Sequence, residues 1–284
     1  MNCFALLITM LLTAFSPRPV SAQRLSSCVP VYTRSGAEAA YEAGEKLDYI
    51  IHYKFGVVDS DIGIASVTLD TLRIEGQKAF HVNVSGAARG IYARMFPVSE
   101  DFNSYFSYDA LQPISFNRSS HECSYKATNS YIYDWKAESP RIEGEWWSTR
   151  MTEPKTVSLP LDGCTFDLPA LFFFARNIDM ARVAPNVKYP MTFAIDDEIY
   201  NVHFIYKGKV TKRVSGFGTV RCLKFAADLL AGEVFRSDTD VDIYITDDLN
   251  RIPVLFAAPI LMGKVEGRIS AHKGLKYPMD SKIR

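Results

Sequence analysis

The sequence predicts an all-β fold with one main helix: a curved antiparallel sheet forming a barrel or half-barrel, built as two similar halves or as one body. Three observations carry this. Apolar and polar residues alternate with period two in run after run, Gly-containing turns separate the runs, and a single stretch shows helical spacing.

Taken in order, Leu47, Tyr49, Ile51, Tyr53 and Phe55 share one side of a strand, while Asp48, His52 and Lys54 share the other. Residues 62–74 continue in this style. Phe80, Val82 and Val84 then alternate with His81, Asn83 and Ser85, and Glu75-Gly76-Gln77 between them reads as a hairpin turn. The pattern recurs at 102–108, 114–117, 130–135 and 142–147. Residues 167–179 break it. Asp167 suits an N-cap, Pro169 a first helical turn, and Leu171, Phe172, Ala175 and Ile178 fall on one helical face. So short a helix needs its Phe-rich face packed against the sheet. Strands resume at 189–195, 200–206, 209–214, 218–226, 241–246, 252–257 and 260–270. A weak echo between 47–56 (LDYIIHYKFG) and 200–208 (YNVHFIYKG) is the sign of two halves.

Composition sets the class. With 284 residues, 48% hydrophobic, and 32 Lys+Arg balanced by 32 Asp+Glu, the chain has enough apolar content for a core, and disorder and multi-span membrane architectures are excluded. Zero net charge also argues against a nucleic-acid binder. Residues 1–22 read as a secretory signal, with a short apolar run and Val20-Ser21-Ala22 before the cut. A loose segment (23–40), a single β-rich domain (41–273) and a tail (274–284) follow. The expected location is the periplasm or the outer membrane, with lipidation at Cys28 as a variant of that address.

Export permits disulfides. Cys123 and Cys164 are paired because both sit in mid-chain segments with turn-like neighbours; such a bridge contributes about 3 to 4 kcal/mol in the chain-entropy view. Cys222, on an apolar strand, reads as a buried thiol.

Catalytic and cofactor motifs are not found: there is no H-E-x-x-H, nucleophile elbow, phosphate loop or dinucleotide turn, and no cofactor or metal is expected. Asp196-Asp197-Glu198 and Asp238-Thr239-Asp240 read as turns ahead of calcium sites. Trp146 and Trp147 could grip a glycan, but adjacent strand residues face opposite ways, so one at most serves any one surface. A curved sheet with a Phe-rich helix can also enclose a pocket, for which Phe172, Phe173, Trp146 and Tyr206 are the candidates. Solid packing is the default reading, since small barrels fill their interiors with side chains.

The run 242–254 (DIYITDDLNRIPV) followed by Gly263-Lys264-Val265-Glu266-Gly267, the opening Gly44-Glu45-Lys46-Leu47, and the central Asp167-Leu168-Pro169-Ala170-Leu171 with Arg176 together resemble the bacterial envelope family called domain of unknown function 3108. The resemblance spans 41–269. It implies an exported β-rich protein of Bacteroides-like and other Gram-negative bacteria, and it carries over no catalytic residues. From the residues themselves, Asp247, Asp248 and Asn250 suit a turn, with Arg251 pairing one aspartate. The expectation for function is therefore a non-catalytic binding or carrier module for an apolar or amphipathic ligand such as lipid. A structural or interaction component of the envelope, and a glycan or lipid hydrolase, are the alternatives.

Overall fold

The computed structural model describes residues 34–162, 164–229, 241–260 and 262–283. In chain order the elements are β1 (Lys46–Phe55), β2 (Val58–Ile74), β3 (Gln77–Ala88), α1 (Ile91–Met95), β4 (Val98–Ser107), β5 (Pro113–Glu122), β6 (Tyr125–Asp134), β7 (Arg141–Ser148), β8 (Lys155–Pro160), β9 (Thr165–Phe166), α2 (Leu168–Arg176), β10 (Lys188–Ile195), β11 (Glu198–Val214), β12 (Gly218–Leu229), β13 (Val241–Thr246), β14 (Pro253–Ile260), β15 (Gly263–Lys273) and β16 (Lys282–Ile283).

All strands belong to one sheet, ordered β8 through β1, then β15 back through β9, with β16 on β12. Two meanders therefore meet at the centre, where β1 pairs antiparallel with β15. Hairpins need no long crossings, and the connection from β9 to β10 carries α2. Glu75 and Gly76 both have positive φ (50° and 81°), the backbone of a tight two-residue hairpin joining β2 to β3.

The sheet is not closed by hydrogen bonds, yet its ends curl together. Phe116, Tyr131, Tyr133, Ile142 and Val157 from β5–β8 share a core with Tyr189, Met191, Phe193 and Val202 from β10 and β11. The β10–β11 turn clasps the opposite wall: Arg118 Nη1 lies 3.0 Å from Asp196 Oδ1, Tyr131 Oη donates to the Asp196 carbonyl, and Lys155 pairs with Asp197.

Helix α2 plugs this body instead of covering it. Asp167 caps it, accepting from Ala170 N at 2.8 Å, and Phe173 meets Tyr41 edge-on at 4.8 Å between ring centroids. Phe173 and Ala170 are buried among residues of β1 to β4, β12 and β14. Full burial of one such aromatic side chain is worth about 1.5–3 kcal/mol.

Four readings change. The described part of the segment taken as loose, from Arg34 on, includes a 3-10 turn at Gly36–Glu38, and Ala39, Ala40 and Tyr41 are core. The tail is also part of the body: Leu275 and Met279 pack on the core, and β16 pairs with β12. Residues 200–206 and 209–214 are one strand, β11, with a register shift between Tyr206 and Gly208. The echo thus breaks at its glycines, since Gly56 sits in the β1–β2 turn whereas Gly208 relieves a mid-strand bulge at φ 107°. The signal segment, Cys28 and Asp238-Thr239-Asp240 lie outside the described residues.

Candidate functional site

The three signature segments converge on one buried guanidinium. Arg176, at the last turn of α2, donates to Glu45 Oε1 and Oε2 at 2.5 and 2.8 Å and to the Asn250 carbonyl at 3.0 and 3.2 Å. Burial opposes its charge, but Glu45 overcomes this and holds Arg176 above its ordinary value. The closing turn is consumed by the chain itself. Asp248 accepts from Thr246 Oγ1, Asn250 N, Arg251 N and Ser281 Oγ. The Asn250 amide holds the Tyr277 and Pro278 carbonyls and Tyr277 N. Asp247 pairs with Lys209 at 2.9 Å and stands 3.8 Å from Arg251. Within the closing run Gly267 lies under the Phe256 ring, where a Cβ would stand 1.8 Å from Cζ. These groups tie the opening segment, the closing turn and residues 277–281 to the helix.

The four residues named for a pocket do not share one. Phe172 and Phe173 belong to the cluster around α2, while Trp146 and Tyr206 pack on the second cluster across the seam. Phe173 has no space beside it: it touches Tyr41, Phe106 and Phe172. Cys123 and Cys164, the two cysteines paired from sequence, are each disulfide-bonded. Cys222 is free and buried, and burial pushes its thiol up to about 12.

The wall formed by β4–β7 is different on each face. Inward it carries Glu100, Arg118, Ser120, Glu122 and Asn129, all buried. Ser120 Oγ donates to Glu100 and accepts from Arg118 Nε at 2.7 Å, and at 2% exposure it is out of a substrate's reach. Burial raises the Glu100 carboxyl to about 7, opposed by Ser120, Arg118 and a hydrogen bond with Glu122. The acid pair is sealed from substrate, and with Arg118 reaching Asp196 it works as the inner side of the clasp.

Outward, the register lines up Asn83, Asn103, Asn117, Ser130 and Glu145 across five strands, and beside them Ser85, Asp101, Ser119, Thr128 and Trp147. The middle strands present short side chains and the flanking strands longer ones, so a trough of about 300 Å³ forms on the outer face. Asp101, Asn103, Asn117 and Ser119 lie toward one side, and Thr128, Ser130, Glu145, Trp147 and Pro154 toward the other. Its first wall is organised. Asp101 accepts from Asn83 Nδ2 at 3.0 Å and Asn103 Nδ2 at 2.6 Å, and His81 Nε2 lies 2.9 Å from Asn103 Oδ1. Asn117, Ser119, Thr128 and Ser130 face solvent, offering donors and acceptors on one surface. Of the Trp pair, Trp147 is on this side, and Trp146 packs inward. No motif marks the trough. Its residues come from separate hairpins, and the available signal was the run of Ser, Thr and Asn at alternate positions of 115–130.

Asp101 and Glu145 stand on strands three apart, so their backbones are roughly 14 Å from each other. Among the described residues, no three of His, Cys, Asp or Glu gather as a metal site, and no helix is long and apolar enough to cross a membrane.

Comparison with solved structures gives the crystal structure of a beta-barrel-like protein of domain of unknown function DUF1849 from Brucella abortus. The TM-score is 0.50 at 8% identity, covering 83% of this chain and 99% of that one, a likeness of fold alone. No curated protein matches the chain. The match that runs from Asp48 to Ser270 takes in nearly all of the sheet together with Arg176 and Asn250: this chain belongs to the family described as Protein of unknown function (DUF3108).

Proposed function

We propose that this chain is an exported, non-catalytic recognition module of the bacterial envelope, and that it binds a saccharide in the trough on the outer face of β4–β7. The observation that carries the reading is the trough: a row of hydroxyls and amides beside one aromatic plate, Trp147. A sugar ring presents hydroxyls at its rim and C–H groups on its faces, which matches fixed polar groups flanking an indole. The acids Asp101 and Glu145 favour neutral or amino sugars over phosphorylated or uronic ones. The aromatic side chains and α2 that occupy the interior favour a surface ligand over a sheltered apolar one. The burial of Ser120 and Glu100 behind the sheet favours binding over hydrolysis. Disulfide-bonded Cys123 and Cys164 agree with an oxidising compartment.

Titration of the purified chain with a panel of neutral and amino oligosaccharides, followed by amide NMR shifts, tests this. Saturable shifts confined to β4–β7, lost in Trp147→Ala and in the trough-filling Thr128→Trp, are expected. Absence of any saccharide response, or a co-purifying lipid bound inside the sheet, would overturn it.

A further inference from the structure

Helix α1 has its faces reversed. Tyr92 turns inward to a core cluster containing Ile51, Tyr53 and Ile62, while Ile91 and Met95, one turn apart, stand in water at 65% and 56% exposure. A surface helix ordinarily buries its large apolar side chains, so this much exposed apolar surface suits an apolar medium outside the chain. The same end of the body carries a second apolar projection. At the tip of the β1–β2 hairpin, Phe55 and Val58 flank Val57, which is fully exposed at 102%. The two features are tied together, because the Arg89 amide donates to the Ile62 carbonyl of β2 just before α1 begins.

Charge accompanies the apolar groups. Lys54 is paired with Asp59 at 2.8 Å and Lys264 with Glu266 at 2.6 Å. Arg89 and Arg94, before and within α1, face solvent and leave this end locally positive. Narrow apolar projections beside exposed arginines suit an interface that yields to them, with the apolar tips among acyl chains and the guanidinium groups at the anionic headgroups. A protein partner would call for a broader, flatter contact.

We infer that this end, through Phe55, Val57, Ile91 and Met95 with Arg89 and Arg94, is a docking surface for an anionic lipid bilayer, holding the chain against the membrane with the β4–β7 trough free. The inference does not depend on what the trough binds.

Co-sedimentation of the mature chain with phosphatidylcholine vesicles, with and without phosphatidylglycerol, tests it. Binding at least ~10-fold stronger to the anionic vesicles is expected. The triple variant Val57→Asp, Ile91→Asp, Met95→Asp should fall to background with an unchanged melting temperature, and Arg89→Glu with Arg94→Glu should lose only the anionic preference. Equal pelleting of the wild type and the triple variant would overturn the inference. So would a wild-type dimer in sedimentation that the triple variant converts to monomer, since a second copy would then cover this face.

Discussion

Two regions of the molecule, the Arg176 knot and the β4–β7 trough, use polar residues in opposite ways. At the knot, Glu45, Arg176 and Asn250 arrive from three distant segments, are buried, and satisfy one another. In the trough, Asn117, Ser119, Thr128 and Ser130 come from neighbouring strands and face water. The knot carries the recognisable motif and holds the fold. The trough carries no motif and has groups free for a ligand. In this protein a strong sequence signature therefore marks architecture, while the water-facing polar row follows from plain strand alternation.

The largest effect should come from breaking the knot. Arg176→Met leaves the Glu45 carboxylate buried without its partner, and a loss of about 3–5 kcal/mol in urea unfolding is expected. Replacing Glu45 and Arg176 together by apolar residues should cost less than that single change, which separates charge burial from packing. Phe173→Ala in the neighbouring plug should cost a similar or slightly smaller amount, about 3–5 kcal/mol, by opening a cavity beside Tyr41 and Phe106.

Acidity sharpens the comparison between buried and exposed groups. Burial raises both Glu100 and Asp167 to about 7, above their unfolded values near 4.5 and 3.8. The fold therefore favours their protonated forms: that contribution is complete below the unfolded values and is lost as pH rises through about 7. Denaturation midpoints should fall between pH 5 and pH 8 by an amount equivalent to roughly 1–3 kcal/mol, and Glu100→Gln with Asp167→Asn should flatten the profile. At the trough the expectation reverses. Trp147→Ala should change stability by less than about 1 kcal/mol, while saccharide affinity drops about tenfold. A Trp147 variant that unfolds as readily as an Arg176 variant would erase the distinction between the two regions.

Much of the frame was legible beforehand because alternation and capping are local. The β1 pattern, the Glu75-Gly76 hairpin and the Asp167 N-cap each depend on a few adjacent residues. The packing of Ala39, Ala40 and Tyr41 was not, since a 3-10 turn leaves no periodicity and these residues are buried by distant parts of the chain, Tyr41 against Phe80 and Phe173, Ala40 through Asn177 and Ala39 through Lys276. Nor was the continuity of β11 through Gly208, because a bulge interrupts the two-residue rhythm without ending the strand. The pocket expected from Phe172, Phe173, Trp146 and Tyr206 was an inference about shape. Shape depends on how the helix meets the sheet, and here Phe173 packs against Tyr41 and Phe106 within the core.

By itself the sequence determined that this chain forms antiparallel strands with one face wet, carries one capped helix, and belongs with a family of β-rich proteins, since backbone propensity and side-chain alternation act over a few residues. Only the tertiary structure decided that the helix becomes a plug, that Glu45 and Asn250 meet on Arg176, and that Asp101, Ser119, Thr128 and Trp147 stand in one row. Those outcomes depend on strand register and sheet curvature, which sum small twists over sixteen strands.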